Sequence, residues 1–327
     1  MLNAPVITLQ LLDTNLLLYL ADNTLVHYVV TTTATHIRLQ LCGSISFDGI
    51  VGEPARVRAF SWRLPMQVPN ADLAQASLLF LIDGMLVLLR PARTHDTDEL
   101  SYDLQILHEH IEAYWTNAHA HGPWPNSLWG LDGSHMCVWL ELHAQPLRLA
   151  LPDEAYPLCV LLDRGLVLGA ESVSTVRRTL DTVSFRVRLH TTLFLDTVLR
   201  ALLTERGVDK AVDAAAPYAA LSYFAHALER LCAGVLEDEA DARPPLPPAE
   251  RLLPTVAAFL DHYACSVGVI ARAARKTEAA RWAYLFACVG PPQTLLQHAV
   301  RMREWDTASA LLLVVHTLHQ EPSSIAA

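Results

Sequence analysis

Four short apolar runs, each closed by an acidic turn and followed by a second apolar run, constrain this chain more than any other feature. LYLADNTLVHYVV, LFLIDGMLVLLRP, SLWGLDGSHMCVWLEL and CVLLDRGLVLGAE all have this form. Their turns fall at Asp22-Asn23, Asp83-Gly84, Asp132-Gly133 and Asp163-Arg164-Gly165. Asp, Asn and Gly accept the positive φ that tight hairpin turns require. The flanking segments are rich in Val, Leu, Tyr and Trp and have the length of strands. The turns are 61, 49 and 31 residues apart, irregular but close to the roughly 40–50 residues of a propeller blade. IRLQLCGSISFDGI, VRAFSW and DLQILHEHIEAYW supply further strands between the hairpins. Residues 1–188 read as the later, WD40-like blades of a β-propeller, with a β-sandwich as the alternative.

Near His190 the period changes. LFLDTVLRALLTERG places apolar residues at helical spacing and stops at Gly207. DKAVDAAA predicts a short helix ending at Pro217. In LSYFAHALERLCAGVLEDEA, Phe224, Leu228, Leu231 and Val235 line one helix face. EDEADARPPLPPAE then reads as a linker, with a proline-rich inter-helix loop over 241–250, because clustered prolines cannot continue a helix. A helix opening near Leu252 carries Val256, Phe259, Leu260 and Tyr263. The next carries Trp282, Leu285, Phe286 and Val289 and stops at Gly290-Pro291-Pro292. TLLQHAVRM and DTASALLLVVHTLH give one more pair. Short helices in series predict an α-solenoid over 189–327. The expected architecture is a partial β-propeller followed by an α-solenoid.

Several function classes fall away. SLLFLIDGMLVLL is long and apolar, but Asp83-Gly84 divides it, so it reads as a hairpin and not a membrane span. ALLLVV is too short to cross a bilayer. MLNAPVITLQLLD lacks a basic start and is interrupted by Asp13, so no secretory signal is expected. A cytosolic or peripherally bound protein is the expectation. The formal charge of −10 argues against general nucleic-acid binding. From Arg251 onward, however, seven cations stand against five anions, a weak basic bias that suits an acidic partner or membrane surface.

No phosphate-cradling GxxxxGK or GxGxxG occurs, nor GxSxG, nor HExxH. The six cysteines form no CxxC pair and sit mostly in apolar runs, which reads as buried thiols and neither zinc nor a disulfide framework. Among metal-ligating residue types, the best cluster is HEHIE (His108, His110, Glu112) with His119 and His121 close behind. Alternating residues on a strand share a face, but a polar strand face explains the same pattern, and no metal or cofactor is assigned. Trp115, Trp129 and Trp139 read as blade packing, and PPLPP as an inter-helix loop. The cations Arg272, Arg275, Lys276 and Arg281 have two principal readings. One is a solvated helix face with local pairs Arg275–Glu278 and Glu278–Arg281, the other a contact with a protein partner.

ARKTEAARWAYLFACVGPPQTLLQHAVRMREWDTASALLLVVHTL (274–318) resembles the C-terminal domain of the ribosome control protein one family. The matching positions are Ala274 to Glu278, Trp282, Tyr284 to Phe286, Gly290 and Asp306-Thr307-Ala308. Ser309 replaces the family's second Ala. YPLCVLLDRGLVLGAES, LPTVAAFL, VLEDEA and SLWGLDGSHMCVWLEL are also similar, in the family's order.

The resemblance implies the larger subunit of a guanine-nucleotide exchange factor. Its implied partners are a smaller arrestin-like subunit and a Golgi Rab GTPase of the Rab-six class, in endosome-to-Golgi and intra-Golgi transport. Cytoplasm and peripheral Golgi membrane are the implied locations. Exchange makes and breaks no bond, so neither catalytic residues nor a cofactor is expected. The alternative is a propeller–solenoid scaffold of a coat or tether without exchange activity. Family proteins are far longer, so this chain is expected to represent part of one. No short exchange motif carries over, and the expected partner contacts are Arg272, Arg275, Lys276 and Arg281.

Overall fold

The computed structural model describes residues 3–12, 14–47, 57–63, 77–82, 84–93, 100–116, 127–133, 135–140, 145–151, 156–177 and 182–320. They belong to two compact units.

Among the described residues the first unit holds three antiparallel sheets, each a four-stranded meander. The first comprises β1 (Val6–Leu12), β2 (Asn15–Leu20), β3 (Thr24–Thr32) and β4 (Ile37–Ser46). The second comprises β5 (Val57–Arg63), β6 (Ser77–Ile82), β7 (Met85–Arg93) and β8 (Leu100–His108). The third comprises β9 (Ala113–Thr116), β10 (Leu128–Asp132), β11 (His135–Trp139) and β12 (Leu147–Ala150).

The apolar run across β6 and β7 is explained by burial on both faces. Phe80, Ile82, Val87 and Leu89 pack with Leu17, Tyr19 and Leu25 of the first sheet. The alternate residues Leu79, Leu81, Leu86 and Leu88 pack with Leu128, Cys137 and Trp139 of the third. Successive strand residues point to opposite faces, so a strand between two sheets must be apolar throughout. Each such side chain contributes roughly 1.5–3 kcal/mol of transfer free energy. Sheets stacked face to face in chain order are propeller architecture.

The turns behave as their residues predict. Asn23, Gly84, Gly133 and Gly165 all have positive φ, at 59°, 86°, 54° and 62°.

The second unit begins with a sheet of three described strands, β13 (Tyr156–Leu161), β14 (Leu166–Arg177) and β15 (Thr182–Leu193). The β15 strand carries the β pattern past His190 to Leu193. Eight α-helices follow among the described residues: α1 (Leu195–Glu205), α2 (Gly207–Ala215), α3 (Phe224–Asp241), α4 (Leu253–Leu260), α5 (Ser266–Lys276), α6 (Trp282–Val289), α7 (Pro292–Arg301) and α8 (Trp305–Gln320).

The turn between β13 and β14 is pinned to the helices. Tyr218 Oη donates to the Leu162 carbonyl at 2.5 Å, and Tyr223 Oη to the Arg164 carbonyl at 2.8 Å. The Phe194 amide donates to the Gly165 carbonyl at 2.9 Å. The last sheet and the helices therefore share one unit.

Helix α3 is central. Phe224, Leu228, Leu231 and Val235 are buried, as their spacing predicts. It packs on α1, α4 and α5. One expectation needs correcting: the acids Glu237 to Asp241 are not linker but the last turns of α3. Acidic residues are tolerated in a helix, and the chain leaves it only at Ala242, two residues before Pro244. Glu239 then reaches forward and accepts from the amides of Leu252 and Leu253, capping α4. Tyr263 also differs from expectation. It lies beyond the end of α4, with its ring edge-on to Phe224 and Phe259 at 5.1 and 5.2 Å.

Candidate partner-binding surface

The four cations of the expected surface do not act as one patch. Helix α5 keeps Ala273 and Ala274 inward, which leaves Arg272, Arg275 and Lys276 at its surface end. Arg272 and Lys276 are four residues apart, so they share a face, and that face meets α3. Arg272 Nε lies 2.9 Å from Glu229 Oε2, and Lys276 Nζ lies 2.5 Å from Glu229 Oε1. Glu229 is 4% exposed. Burial pushes its carboxyl up, but the bonds and charges of Lys276 and Arg272 outweigh burial and hold it below the usual range.

Arg281 precedes α6 and points back to the other end of α3. Its guanidinium bonds both oxygens of Asp241 at 3.0 Å and lies 3.4 Å from Glu237. Both bonds come from the one Nη2, which is shared between the two carboxylate oxygens while Nη1 faces Glu237, so the guanidinium bridges two acids of α3. Arg275 is exposed and has no ion pair among the described residues.

The expected local pairs through Glu278 are replaced for a geometric reason. Helix α5 ends at Lys276, and Glu278 is extended, with φ −65° and ψ 145°. The i,i+3 relation needed for a helical pair is therefore absent. The true counter-ions Glu229, Glu237 and Asp241 lie some 40 residues upstream. Two of them, Glu237 and Asp241, belong to EDEAD and are brought into place by its helical conformation.

The same helix is laced on its other side. Arg230 Nε sits 3.0 Å from Asp196 Oδ2 of α1, and Arg200 of α1 binds Asp238. Burial raises the Asp196 carboxyl above its usual range despite Arg230. These bridges tie α1, α3 and α5 together. A shallow, open depression beside them is lined by Glu239, Asp241, Arg251, Glu278, Arg281 and Tyr284. Arg251 lies over the Tyr284 ring at 5.4 Å, and Tyr284 donates to Glu239.

The last helix pair carries exposed apolar residues. Val300, Met302, Trp305, Leu312 and Leu313 are each between 46% and 63% exposed. Their neighbours Leu311 and Val314 are fully buried.

The remaining sequence candidates separate cleanly. Trp129 and Trp139 are blade core, and Trp115 pairs across the ladder with Trp129. PPLPP forms the connection between α3 and α4. The HEHIE histidines do not share a strand face, because β8 ends at His108. His110 turns the chain with φ 65°, Ile111 then binds Gly84, and Glu112 binds Leu131 through backbone amides. His119 and His121 lie outside the described residues. His108 meets two residues of the third sheet instead, Asp132 and Cys137. No helix among those described is long and apolar enough to cross a membrane.

Comparison with known proteins covers both units. Residues 1–191 match a family model described as the RIC1 second beta propeller domain. Residues 196–327 match one described as the RIC1 C-terminal alpha solenoid region. The chain is 31% identical over 297 residues to a mouse protein named guanine nucleotide exchange factor subunit RIC1, covering 79% of this chain and 20% of that protein. It is 34% identical over 240 residues to the human protein of that name, covering 65% and 17%. A Caenorhabditis elegans protein, guanine nucleotide exchange factor subunit R06F6.8, is 26% identical over 296 residues, covering 84% and 20%. The chain thus spans about a fifth of the length of these relatives.

Proposed function

The chain belongs to the RIC1 family, and from that premise we propose that it works as part of the larger subunit of a guanine-nucleotide exchange factor. The GTPase is a Golgi Rab of the Rab-six class, and the second subunit is a smaller arrestin-like protein. The setting is endosome-to-Golgi and intra-Golgi transport, at the Golgi membrane through partners. The observation that carries this reading is the match of residues 1–191 and 196–327 to the RIC1 propeller and solenoid in consecutive order, together with the names of the relatives.

The physical logic is one of differential binding. An exchange factor binds the nucleotide-free GTPase more tightly than the loaded one and so shifts the equilibrium toward release. That task needs rigid docking surface and no nucleophile or proton donor. A helical stack braced by the Glu229, Asp196 and Asp241 bridges supplies such surface. Of the four cations, Arg275 is the one wholly available to a partner. Arg272 and Lys276, 46% and 55% exposed, offer only the rims of their bridges.

The test is GDP release from the Rab, with this chain alone, with the smaller subunit, and beside a full-length family member. Acceleration with the subunit present supports the proposal. No acceleration beside an active control overturns it for this chain and favours a scaffold role.

A further inference from the structure

We infer that His108, Asp132 and Cys137 form a zinc site that staples the second sheet to the third. Their ligand atoms, a ring nitrogen, a carboxylate oxygen and a thiol sulfur, all lie within 4.8 Å of one another. His108 Nε2 is 3.8 Å from Cys137 Sγ and 3.8 Å from Asp132 Oδ2. Donors around a tetrahedral zinc, with bonds of about 2.0–2.3 Å, stand roughly 3.4–3.6 Å apart. The two edges at the histidine thus need only contract slightly to hold the ion, while the Asp132–Cys137 edge, within 4.8 Å, closes by up to roughly 1 Å.

The histidine is oriented for this role. Its Nδ1 faces the Glu109 carbonyl, so Nδ1 carries the proton and donates it there. Nε2 is then left with its lone pair, and Nε2 is the atom facing the sulfur and the carboxylate. A backbone carbonyl on the far nitrogen is the usual support of a metal-bound histidine. Trp139 stands edge-on to the ring at 6.0 Å and limits its rotation.

The backbone fixes the other two ligands. Asp132 ends β10 and Cys137 lies within β11, on one hairpin closed at Gly133. Cys137 is fully buried, while His108 and Asp132 are 26% and 17% exposed. The open side admits water as a fourth ligand. A nitrogen, oxygen and sulfur donor set selects zinc over magnesium or calcium, which require oxygen ligands.

Two features oppose the ion. Burial and the Asp132 charge push the Cys137 thiol up to about 11, which the metal must overcome to displace its proton. Arg148 lies 3.0 Å from Asp132 Oδ2, but it is 60% exposed and can swing into solvent. Binding displaces the thiol proton of Cys137, so uptake weakens as pH falls. The ligands stand 24 and 5 residues apart in sequence, which is why no spacing motif announces them.

The experiment strips the purified chain with a chelator and titrates zinc against a chromophoric competitor. Elemental analysis gives the stoichiometry. One zinc per chain is expected, with at least about 100-fold weaker binding in Cys137→Ser and in His108→Gln. Arg148→Ala should bind as well as the parent or better. Cobalt should give a thiolate charge-transfer band that Cys137→Ser abolishes. Because His108 is partly exposed, its variant keeps the test decisive if the buried Cys137 variant fails to fold. Absence of stoichiometric zinc, or zinc binding unchanged in His108→Gln, overturns the assignment and leaves a thiol–imidazole contact.

Discussion

Tyr102 of β8 meets Nδ1 of His27 of β3 at 2.7 Å, joining the first and second sheets through a partly buried polar contact. Nε2 of the same ring lies 3.1 Å from Asn15 Oδ1. The hydroxyl donates to Nδ1 and Nε2–H donates to the amide oxygen, so both nitrogens are satisfied by a neutral ring. Burial lowers the His27 pKa from 6.5 to about 4. The unfolded chain therefore binds a proton between those values that the folded chain does not. Stability is full above pH 6.5 and falls on acidification toward pH 4, by on the order of 3 kcal/mol. Denaturant midpoints at pH 7.5, 6 and 5 check this. A parent as flat across that range as a His27→Gln variant would contradict it.

The Glu229 bridges predict an asymmetry. Arg272→Ala with Lys276→Ala leaves a 4%-exposed carboxylate without its cations, which costs about 3–5 kcal/mol. Glu229→Gln leaves two half-exposed cations that water can solvate, and costs only about 1–2 kcal/mol. The carboxyl is held low in the folded state. Its contribution is thus present above the ordinary carboxylate range and disappears as pH falls through the lowered value. Urea unfolding of the three proteins at pH 7 measures the order, and a double variant no less stable than Glu229→Gln would refute it.

Gly165 sets the joint between the last sheet and α1. Its φ is 62°, and a Cβ there would stand 2.8 Å from Leu195 Cβ. Both backbone strain and overlap oppose any side chain, so Gly165→Ala should cost about 2–4 kcal/mol. Thermal unfolding followed by helical ellipticity checks it. Gly133→Ala is the control, since no atom lies within 4 Å of its Cβ position. An equal shift in both would mean that backbone strain alone is responsible.

How far the sequence could be read follows from the range of each interaction. Turn residues and apolar periods act locally, so the hairpins at Asn23, Gly133 and Gly165 and the stripe on α3 were legible. The two-faced burial of β6 and β7 was legible only as an unbroken apolar run, since neighbouring sheets are distant in sequence. Charge pairing was not legible, because Glu278 stands three residues before Arg281 and offers a nearer partner in sequence. Its partner Asp241 becomes visible only once α3 is known to run on through the acids. In sequence His108 is grouped with His110 and Glu112, whereas its neighbours in space, Asp132 and Cys137, come from another sheet.

These bridges change how the partner surface must be tested. Replacing all four cations with alanine would remove the counter-charges of Glu229 and Asp241 and disturb the helical stack itself. Loss of partner binding would then carry no information. Arg275 is exposed and has no ion pair among the described residues. Arg275→Glu should therefore leave the unfolding midpoint within about 0.5 kcal/mol of the parent. If this end of α5 meets an acidic partner surface, reversing the charge should weaken the complex by about 5–50-fold, with a loss that shrinks at high salt. Affinity for the smaller subunit and for the nucleotide-free Rab, measured at low and high ionic strength, decides the matter. Unchanged affinity for both would move the contact surface away from α5, and the exposed apolar pair Leu312 and Leu313 on α8 would be the next to substitute.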